Sequence, residues 1–323
     1  MLQVARFKVS GRTRWGVVEA DGCVPLDGEY PATGDLLTKG RDDIAAAKGR
    51  GGKGRAALAN VELLSPITEN QQVLCLGANY RQHMIEAGID PDSKGFNMFF
   101  RKASSCLCGA NEPIQKPAHV QLLDYEVELG LVMGRDITKP ETFSGDDLPD
   151  AVAALVIHND VSARDVQVPQ MQFYKGKSYR TFGPTGPYLT LVDDALRKSW
   201  RALRLESKVN GETRQNDLAE NMVFKPAVTL TEMTQLQSVR AGDLIATGTP
   251  AGVAMQLPPP WLVKLMQLVP ENKKWSMFIR KQKKSGRYLE TGDLVECSIA
   301  ADDGSVSLGK LSNRVQTIDA ETR

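Results

Sequence analysis

Two glutamates, Glu126 and Glu128, stand two residues apart in the apolar run Leu123–Leu129, and this pattern constrains the fold more than any other in the 323-residue chain. The alternation of apolar and acidic residues predicts a β-strand that carries both glutamates on one face. Neighbouring carboxylates repel each other and are costly to bury. A cation between them would remove both costs, and hard oxygen ligands suit Mg²⁺, Mn²⁺ or Ca²⁺. The alternative is an exposed edge strand with a solvated acidic face.

The length and composition are those of a globular protein. A hydrophobic fraction of 41% supports a full core, and the length suits one large domain and one small one. The net charge of +1 gives no reason to expect nucleic-acid binding. The sequence contains no run of about 18 apolar residues, so no membrane span is predicted. The first residues also lack the apolar core of a signal peptide. We therefore expect a cytoplasmic protein.

The cysteines point to the same compartment. Five of them stand at positions 23, 75, 106, 108 and 297, and no two form a CxxC pair. An odd number of cysteines without a secretion signal predicts reduced thiols. Because Cys106 and Cys108 have no further ligands nearby in the sequence, we expect half-buried strand residues there instead of a zinc site.

Short strands dominate the predicted secondary structure, so the fold class is α+β and mostly β. Residues 1–30 read as strands with a hairpin turn near Gly11, and residues 32–60 read as polar helix and loop. A boundary near residue 65 predicts a small domain at 1–65 and a catalytic domain at 70–318. Asn210-Gly211 is a strong hairpin signal. The remaining predicted strands are Val73–Leu76, Met98–Phe100, Leu122–Val132, Leu155–Val161, Pro187–Leu191, Leu205–Val209, Asp243–Thr247 and Leu294–Ile299, and the predicted helices are Tyr80–Ala87, Pro149–Val156 and Pro226–Met233.

Residues 254–291 have a different character and are predicted to form an insertion. Three prolines at 258–260 precede an amphipathic helix over 261–269, whose apolar face would be Trp261, Leu265 and Met266. A basic run without acidic residues follows from Lys273 to Arg287. The run suits a solvated face, a lid over the active site, or a contact with a second subunit.

A third acidic residue, Asp160, ends a predicted apolar strand. Together with Glu126 and Glu128 it would complete an open octahedral site for Mg²⁺ or Mn²⁺, whose free positions could hold a chelating substrate. The alternative role for Asp160 is a helix N-cap.

One histidine is the leading candidate for a catalytic base. His83 and Glu86 are three residues apart on a predicted helix, so they are neighbours on one face. The carboxylate would then orient the imidazole and raise its basicity for activation of a water molecule. An ordinary surface pair is the alternative.

Two loops contain residues suited to bind substrate oxygens. Lys177, in a predicted Gly- and Pro-rich loop, could polarise a carbonyl or an enolate. The turn Thr247–Val253 could offer backbone N–H groups and the Thr249 hydroxyl to a carboxylate. Each loop taken alone also fits an ordinary solvated lysine or a connecting turn.

Taken together, these segments resemble the fumarylacetoacetate hydrolase family over about residues 70–318. The matching motifs are Gly77-x-Asn79-Tyr80-x-x-His83-x-x-Glu86, Asp124-Tyr125-Glu126-x-Glu128-Leu129, Asn159-Asp160-Val161-Ser162-Ala163-Arg164-Asp165-x-Gln167, Gly176-Lys177-Ser178, Gly242-Asp243-Leu244-Ile245-x-Thr247-Gly248-Thr249-Pro250, Gly292-Asp293-Leu294-Val295-Glu296 and Gly309-x-Leu311-x-Asn313. Their number and order make chance agreement negligible.

The resemblance implies a mixed β-sandwich roll, a homodimer, and binding of Mg²⁺ or Mn²⁺. It implies that the metal ligands are Glu126, Glu128 and Asp160, that the catalytic residues are His83, Glu86 and Lys177, and that Tyr80, Lys102, Arg164, Gln167 and Thr249 bind substrate. Members of the family hydrolyse C–C bonds in acylpyruvates and related β-diketones, decarboxylate oxaloacetate, or isomerise and hydrate unsaturated oxo acids.

The sequence ranks these activities without fixing the substrate. The paired His83 and Glu86 favour metal-dependent C–C hydrolysis of a small oxo acid, because hydrolysis needs an activated water. Decarboxylation or isomerisation of a 2-oxo acid is the alternative. Two departures from the family pattern bear on the substrate: Arg180 stands where an aspartate is frequent, and the chain is longer than usual between Pro250 and Gly292.

Overall fold

The computed structural model describes residues 1–20, 22–256 and 269–319. The strands are β1 Leu2–Val9, β2 Arg12–Glu19, β3 Gly22–Pro25, β4 Ala56–Ala57, β5 Glu62–Leu64, β6 Val73–Gly77, β7 Met98–Lys102, β8 Leu107–Cys108, β9 Ile114–Pro117, β10 Leu123–Asp124, β11 Val127–Met133, β12 Val152–Asn159, β13 Ser162–Ala163, β14 Gly183–Leu191, β15 Leu203–Val209, β16 Glu212–Leu218, β17 Leu244–Ala246, β18 Leu294–Ala301 and β19 Ser307–Ile318. The helices are α1 Thr33–Lys39, α2 Arg41–Gly49, α3 Arg81–Glu86, α4 Arg164–Gln170, α5 Phe173–Lys177, α6 Asp194–Ser199, α7 Pro226–Leu236 and α8 Glu271–Lys283. Single turns of 3-10 helix lie at Leu58–Asn60, Ser104–Cys106, Trp200–Ala202 and Ala219–Asn221.

Two sheets form the body of the protein, which confirms the predicted α+β, mostly β class. The larger sheet has twelve strands in the order β4-β3-β2-β1-β14-β12-β11-β17-β6-β7, with β5 beside β1 and β8 beside β14. The smaller sheet runs β16-β15-β18-β19-β9. Antiparallel pairs predominate, while β17·β6, β14·β8 and β19·β9 are parallel. The sheets are therefore mixed, as predicted.

The main core lies between these sheets. Strand β11 supplies Leu129 and Leu131 to this core, and the facing sheet supplies Leu205, Ile299 and Leu311. All five side chains are fully buried, and burial of such side chains stabilises the fold by about 1.5–3 kcal/mol each. The sandwich thus gives the segment that carries the two glutamates a rigid apolar support.

The predicted helix Pro149–Val156 is wrong, because strand β12 begins at Val152. Its apolar sequence, which includes two valines and one isoleucine, is buried along nearly its whole length between β11 and β14. β-branched side chains suit that pleated, doubly covered position. The predicted hairpin at Asn210-Gly211 and the helix over Pro226–Met233 are both present.

The strands of residues 1–65 continue the larger sheet. β1 pairs antiparallel with β2 through the turn at Gly11, as predicted, and with β14 on its other side. Val4 and Val17 share a buried cluster with Val132 of β11. The amino-terminal strands therefore pack directly on the sheet that carries the acidic residues.

The insertion is described only in part. The predicted helix over 261–269, with Trp261, Leu265 and Met266, lies outside the described residues apart from its final residue. The basic segment after it forms α8, which packs Phe278 on the main core, with Trp275 and Ile279 beside it. No helix among the described residues has both the length and the apolar character needed to cross a membrane. All five cysteines are unpaired and buried.

Candidate active site

The predicted continuous strand Leu122–Val132 is broken at the point where the site forms. β10 ends at Asp124 and β11 begins at Val127. Side chains, and not a neighbouring strand, bind the backbone N–H groups of the break. The Tyr125 N–H donates to Asp124 Oδ1 at 2.9 Å. The N–H groups of Glu126 and Val127 donate to Asn159 Oδ1 and to Gln215 Oε1, each at 3.0 Å. Glu126 therefore lies outside both strands, and the hydrogen bond to Asn159 holds its backbone in place.

The alternative of an exposed acidic edge strand is also wrong. Every residue of β11 is buried, because apolar clusters cover both faces of the strand while β12 and β17 pair with its two edges. The glutamates therefore lie inside the protein, where an uncompensated charge is costly.

Three carboxylates meet at this break. Glu126, Glu128 and Asp160 each offer an oxygen, and the three oxygens lie within 4.8 Å of one another. The residues are 6%, 1% and 0% exposed. Asp160 does not cap a helix, because α4 starts four residues later with Ala163 as its N-cap. The structure thus brings together the three acidic residues singled out in the sequence.

Two buried lysines neutralise part of this charge. Lys177 Nζ donates to Glu126 Oε2, Asp160 Oδ2 and Ser162 Oγ at 2.7, 2.6 and 2.8 Å. Lys102 Nζ donates to the other oxygen of Asp160 at 2.5 Å. Burial alone would raise the pKa of Asp160, but the two lysines outweigh burial and hold that pKa below its usual value.

Glu128 forms no direct ion pair among the described residues, although the charge of Lys177 acts on it from a greater distance. Its carboxylate accepts a hydrogen bond from the Gly248 N–H at 2.9 Å. Burial, and then repulsion by Asp160 and Glu126, raise the pKa of Glu128 well above its usual value. A divalent cation fits this arrangement, because the three oxygens are hard ligands and one of the carboxylates has no direct ion pair in the described part of the chain. Glu126, Glu128 and Asp160 are the residues that would hold such an ion.

The predicted turn after β17 does bind a carboxylate, but the carboxylate is the protein's own Glu128. The Thr249 hydroxyl is also used internally, since it donates to the Val127 carbonyl at 3.0 Å and accepts from Gln215 at 2.7 Å. Thr249 still lies on the cavity wall. The turn therefore holds Glu128 in place and contributes Thr249 to the cavity wall.

Arg164 links several site residues at the start of α4. Its guanidinium donates to Asp124 Oδ2 and Gln167 Oε1, each at 2.8 Å, and to Glu126 Oε1. Burial lowers the pKa of Arg164, but Glu126 and Asp124 outweigh burial and raise it above the usual value. The arginine is thus a permanent charge that fixes one oxygen of a candidate metal ligand.

His83 lies on the same cavity as the carboxylates. Burial lowers the pKa of His83 below its usual value, so the imidazole is neutral near pH 7. Its Nδ1 atom is buried without a hydrogen-bond partner among the described residues. Glu86 is close enough to raise the basicity of His83, yet its carboxylate accepts from the Gly252 N–H at 3.1 Å. No direct hydrogen bond joins His83 to Glu86 in the part of the chain that the structure describes.

A cavity of about 170 Å³ collects most of these groups. Its wall consists of Leu76, Gly77, Ala78, His83, Ala87, Met98, Phe100, Glu126, Glu128, Arg164, Gln167, Phe173, Lys177, Thr249 and Met255. One part of the wall is charged and another is apolar, which is the usual composition of a small-molecule site.

Two predicted substrate-binding residues are not on that wall. Tyr80 is fully buried in the main core, and Lys102 lies behind Asp160. Lys177 reaches the site from the end of helix α5, so its assignment to a loop is wrong. Sequence reasoning also missed the short helices α4, α5 and α6, each of five to seven residues.

Two further polar residues support the site and were not predicted. The Asp124 carboxylate binds Arg164 and the N–H groups of Ala254 and Met255. The Gln215 side chain joins β16 to Val127 and Thr249. Asp124 stood in the alternating acidic pattern of the sequence, whereas nothing in the sequence distinguishes Gln215.

Comparison with known proteins gives two family models that match successive parts of the chain. Residues 72–316 match the model described as "Fumarylacetoacetate (FAA) hydrolase C-terminal". Residues 3–66 match the model described as "Rv2993c-like, N-terminal". The first match alone covers more than half of the chain.

Curated relatives are similar to this chain over about two thirds of each sequence. Oxaloacetate tautomerase YisK from Bacillus subtilis is 36% identical over 206 residues, which are 63% of this chain and 67% of that protein. Mitochondrial oxaloacetate tautomerase fahd2 from Xenopus laevis is 32% identical over 65% of each protein. The chain thus spans about two thirds of the length of these relatives.

Solved structures share the architecture over nearly the whole chain. The fumarylacetoacetate hydrolase from Exiguobacterium antarcticum superposes with a TM-score of 0.71 at 29% identity, covering 98% of this chain and 100% of that one. A 2-hydroxyhepta-2,4-diene-1,7-dioate isomerase from Mycobacterium marinum has a TM-score of 0.68 at 24% identity, covering 98% and 99%. At that identity the second likeness supports the fold alone.

Proposed function

The chain belongs to the fumarylacetoacetate hydrolase family, and from that premise we propose that it catalyses keto–enol tautomerisation or isomerisation of a small 2-oxo acid with a bound divalent cation. One observation carries this proposal: the oxygens of Glu126, Glu128 and Asp160 lie within 4.8 Å of one another, and Glu126, Glu128 and the neutral His83 line the same cavity, with Asp160 buried beside it. A cation site beside a neutral base is the minimum that enolisation of a 2-oxo acid requires.

We propose Mg²⁺ or Mn²⁺ as the cation, with Ca²⁺ as a further option. The ion would supply Lewis-acid polarisation of the carbonyl group of the substrate. Four buried carboxylates of the site face three buried cations, namely Asp124, Glu126, Glu128 and Asp160 against Lys102, Arg164 and Lys177. This balance leaves one negative charge, so a divalent ion gives the site the positive charge that suits an anionic substrate.

His83 takes the proton from the carbon next to the carbonyl group and then gives that proton to the enolate oxygen, and both transfers run backwards in the reverse reaction. Its lowered pKa keeps the imidazole in the neutral, proton-accepting form at physiological pH. Lys177 and Arg164 hold Glu126 and thereby keep the carboxylates oriented while charge develops on the substrate oxygen. The apolar wall formed by Phe100, Phe173 and Met98 limits the access of water.

The names of the relatives support oxaloacetate as the first substrate to test. Two curated relatives are oxaloacetate tautomerases. Those proteins extend beyond the matched segments, so transfer of their substrate to this chain is our proposal.

Hydrolysis of a C–C bond in an acylpyruvate is the second candidate. The observation that favours it is the proximity of Glu86, which raises the basicity of His83. A base strengthened in this way can activate water. The bond between Glu86 and the Gly252 backbone must then yield to a direct contact with His83 when substrate binds.

Assays on one panel of substrates separate these candidates. Oxaloacetate, acetylpyruvate and fumarylpyruvate are incubated with Mn²⁺ or Mg²⁺ and protein, while the absorbance of the enol and the products are followed. If the protein is a tautomerase, the enol absorbance of oxaloacetate should relax faster with the protein than without it, and no new product should form. A chelator should abolish this acceleration. Cleavage of acetylpyruvate to acetate and pyruvate, without acceleration on oxaloacetate, would replace the first candidate by the second. We also propose that the active species is a homodimer, which a sedimentation measurement tests.

A further inference from the structure

Asp124 has every acceptor position of its carboxylate occupied. It is fully buried and accepts four hydrogen bonds. These come from Tyr125 N at 2.9 Å, Ala254 N at 2.7 Å, Met255 N at 3.1 Å and Arg164 Nε at 2.8 Å. Because a carboxylate has about four lone-pair sites, Asp124 has no capacity left for a cation. Its role in the site must be indirect.

Two of those bonds hold the first residues of the insertion, which we call the stem (residues 254–256). The Met255 side chain lines the cavity, so the position of the stem sets part of the cavity wall. A second clamp holds Gln256, whose backbone N–H and carbonyl group both bind the Gln282 side chain of α8. The stem is therefore tied to the site on one side and to α8 on the other.

The remaining bond connects Asp124 to a candidate metal ligand through Arg164. One guanidinium donates to Asp124 by Nε and to Glu126 by a terminal nitrogen. The guanidinium is planar and rigid, so a shift of Asp124 changes the direction in which the terminal nitrogen meets Glu126. The stem, Asp124, Arg164 and Glu126 are thus joined by one continuous chain of buried and partly buried hydrogen bonds.

We propose that Asp124 is a positioning residue that couples the order of the stem to the orientation of Glu126, and through Glu126 to cation affinity. This inference rests on the metal site of the proposed function but not on the reaction that the site catalyses. Outer residues that orient metal ligands typically contribute 10–100-fold to affinity when they are altered. The insertion therefore acts on the chemistry through its stem, wherever its remaining residues lie.

Asp243 offers a matched control. It is also a buried aspartate with four hydrogen bonds, and it precedes β17 far from the carboxylates in sequence. Its partners are Gln71 Nε2, Gln72 N, Gln72 Nε2 and Arg240 N. Asp243→Asn therefore removes the same charge and disturbs as many bonds, without contact to Arg164 or to the stem.

The test compares Asp124→Asn with Asp243→Asn by Mn²⁺ calorimetry and by hydrogen exchange of a peptide that spans residues 252–256. We expect Asp124→Asn to weaken Mn²⁺ binding by about 10–100-fold and to speed exchange at Ala254 and Met255. Asp243→Asn should change neither. Wild-type Mn²⁺ affinity in Asp124→Asn, or an equal loss in both variants, would overturn the coupling.

A second measurement needs only the wild-type protein, so it decides the question even if Asp124→Asn does not fold. Coupling is reciprocal, and saturation with Mn²⁺ should therefore slow exchange of the Ala254 and Met255 amides. The Gln72 and Arg240 amides, which Asp243 holds, should exchange at an unchanged rate. Unchanged exchange at the stem would refute the inference. Failure of the wild-type protein to bind Mn²⁺ would refute the proposed function as well, and is thereby distinguished from a failure of the coupling alone.

Discussion

Two cavities of this protein differ in size and in chemistry, and the smaller one carries the candidate active site. A cleft of about 750 Å³ lies against β2, lined by Arg6, Arg12 and Arg14. The cavity at the carboxylates measures about 170 Å³. Arg12 and Arg14 are exposed to solvent, whereas Glu126, Glu128 and Lys177 are buried.

The two cavities differ in the convergence of buried charge, and this convergence, not volume, is the reason for placing the candidate site in the smaller one. Exposed arginines are solvated and can move apart, so the cleft holds its charge at little energetic cost. Buried charges are kept only with partners that satisfy them. The small cavity retains one carboxylate, Glu128, without a direct ion pair among the described residues, and that imbalance points to a ligand.

The largest expected effect is at the carboxylates. Glu126→Gln or Asp160→Asn removes one charged oxygen from a three-carboxylate site, so we expect loss of metal-dependent turnover with the fold retained. Calorimetric titration with Mn²⁺ and circular dichroism measure both properties. Unchanged Mn²⁺ affinity in both variants would exclude these residues as metal ligands. The smaller cavity would then have no better claim to a metal site than the larger cleft.

The next effect concerns the base. His83→Ala should lower kcat by about 10²–10⁴, the range for loss of a general acid or base, because no other described imidazole lies on the cavity wall. If the reaction is tautomerisation, Glu86→Ala should lower kcat less than His83→Ala does. If the reaction is hydrolysis, the two variants should lower kcat by similar factors. Metal affinity should persist in each variant, and full activity of His83→Ala would remove the histidine from the mechanism.

The insertion provides an effect of intermediate size. If the lid interpretation of the sequence is right, replacing residues 258–268 by a Gly-Ser linker raises KM or lowers kcat and leaves the proposed dimer intact, because water is no longer excluded. Helix α8 should stay in place, since Phe278 anchors it in the core. A monomer with unchanged kinetics would assign the segment to a subunit contact.

The pH profile should show a smaller effect. Burial lowers the pKa of His83, and the neutral imidazole is the active form. The acidic limb of kcat/KM should therefore lie below pH 6.5, with activity lost as the pH falls through that pKa. An acidic limb above pH 6.5 at saturating Mn²⁺ would show that burial is not the dominant influence on the pKa of His83.

The smallest effect belongs to the larger cleft. Arg14→Ala should leave kcat and Mn²⁺ affinity unchanged and shift the free energy of unfolding by no more than about 0.5 kcal/mol, as is usual for exposed positions. A chemical denaturation curve and the tautomerase assay check the two quantities. Loss of activity in this variant would show that the cleft takes part in the reaction.

Sequence motifs predicted the elements of this fold better than its local geometry. The alternating pattern located Glu126 and Glu128, but it could not show the break at Tyr125, because that break depends on Asn159 and Gln215, which are distant in sequence. Periodicity likewise misread 149–156 as helix, since a strand buried on both faces loses its alternation.

The placement of long polar side chains was the least predictable part. Lys102 and Lys177 both appear as basic residues near small ones in the sequence. Only the fold reveals that each is buried against Asp160. Whether a lysine reaches substrate or a neighbouring carboxylate is decided by packing, which a local pattern does not contain.

The pairing of β1 with β14 has a consequence for the synthesis of the protein. Leu2, Gln3 and Val4 meet residues 189–191, and the Gln3 side chain also binds the carbonyl group of Ser307. At about 5–20 residues per second, a ribosome needs roughly 10–40 s to add the strand that completes this edge. During that interval the amino-terminal hairpin presents unpaired N–H and C=O groups, which a chaperone or a neighbouring nascent chain can capture. The amino-terminal edge is therefore open to such pairing until β14 has emerged from the ribosome, and β14 covers it afterwards.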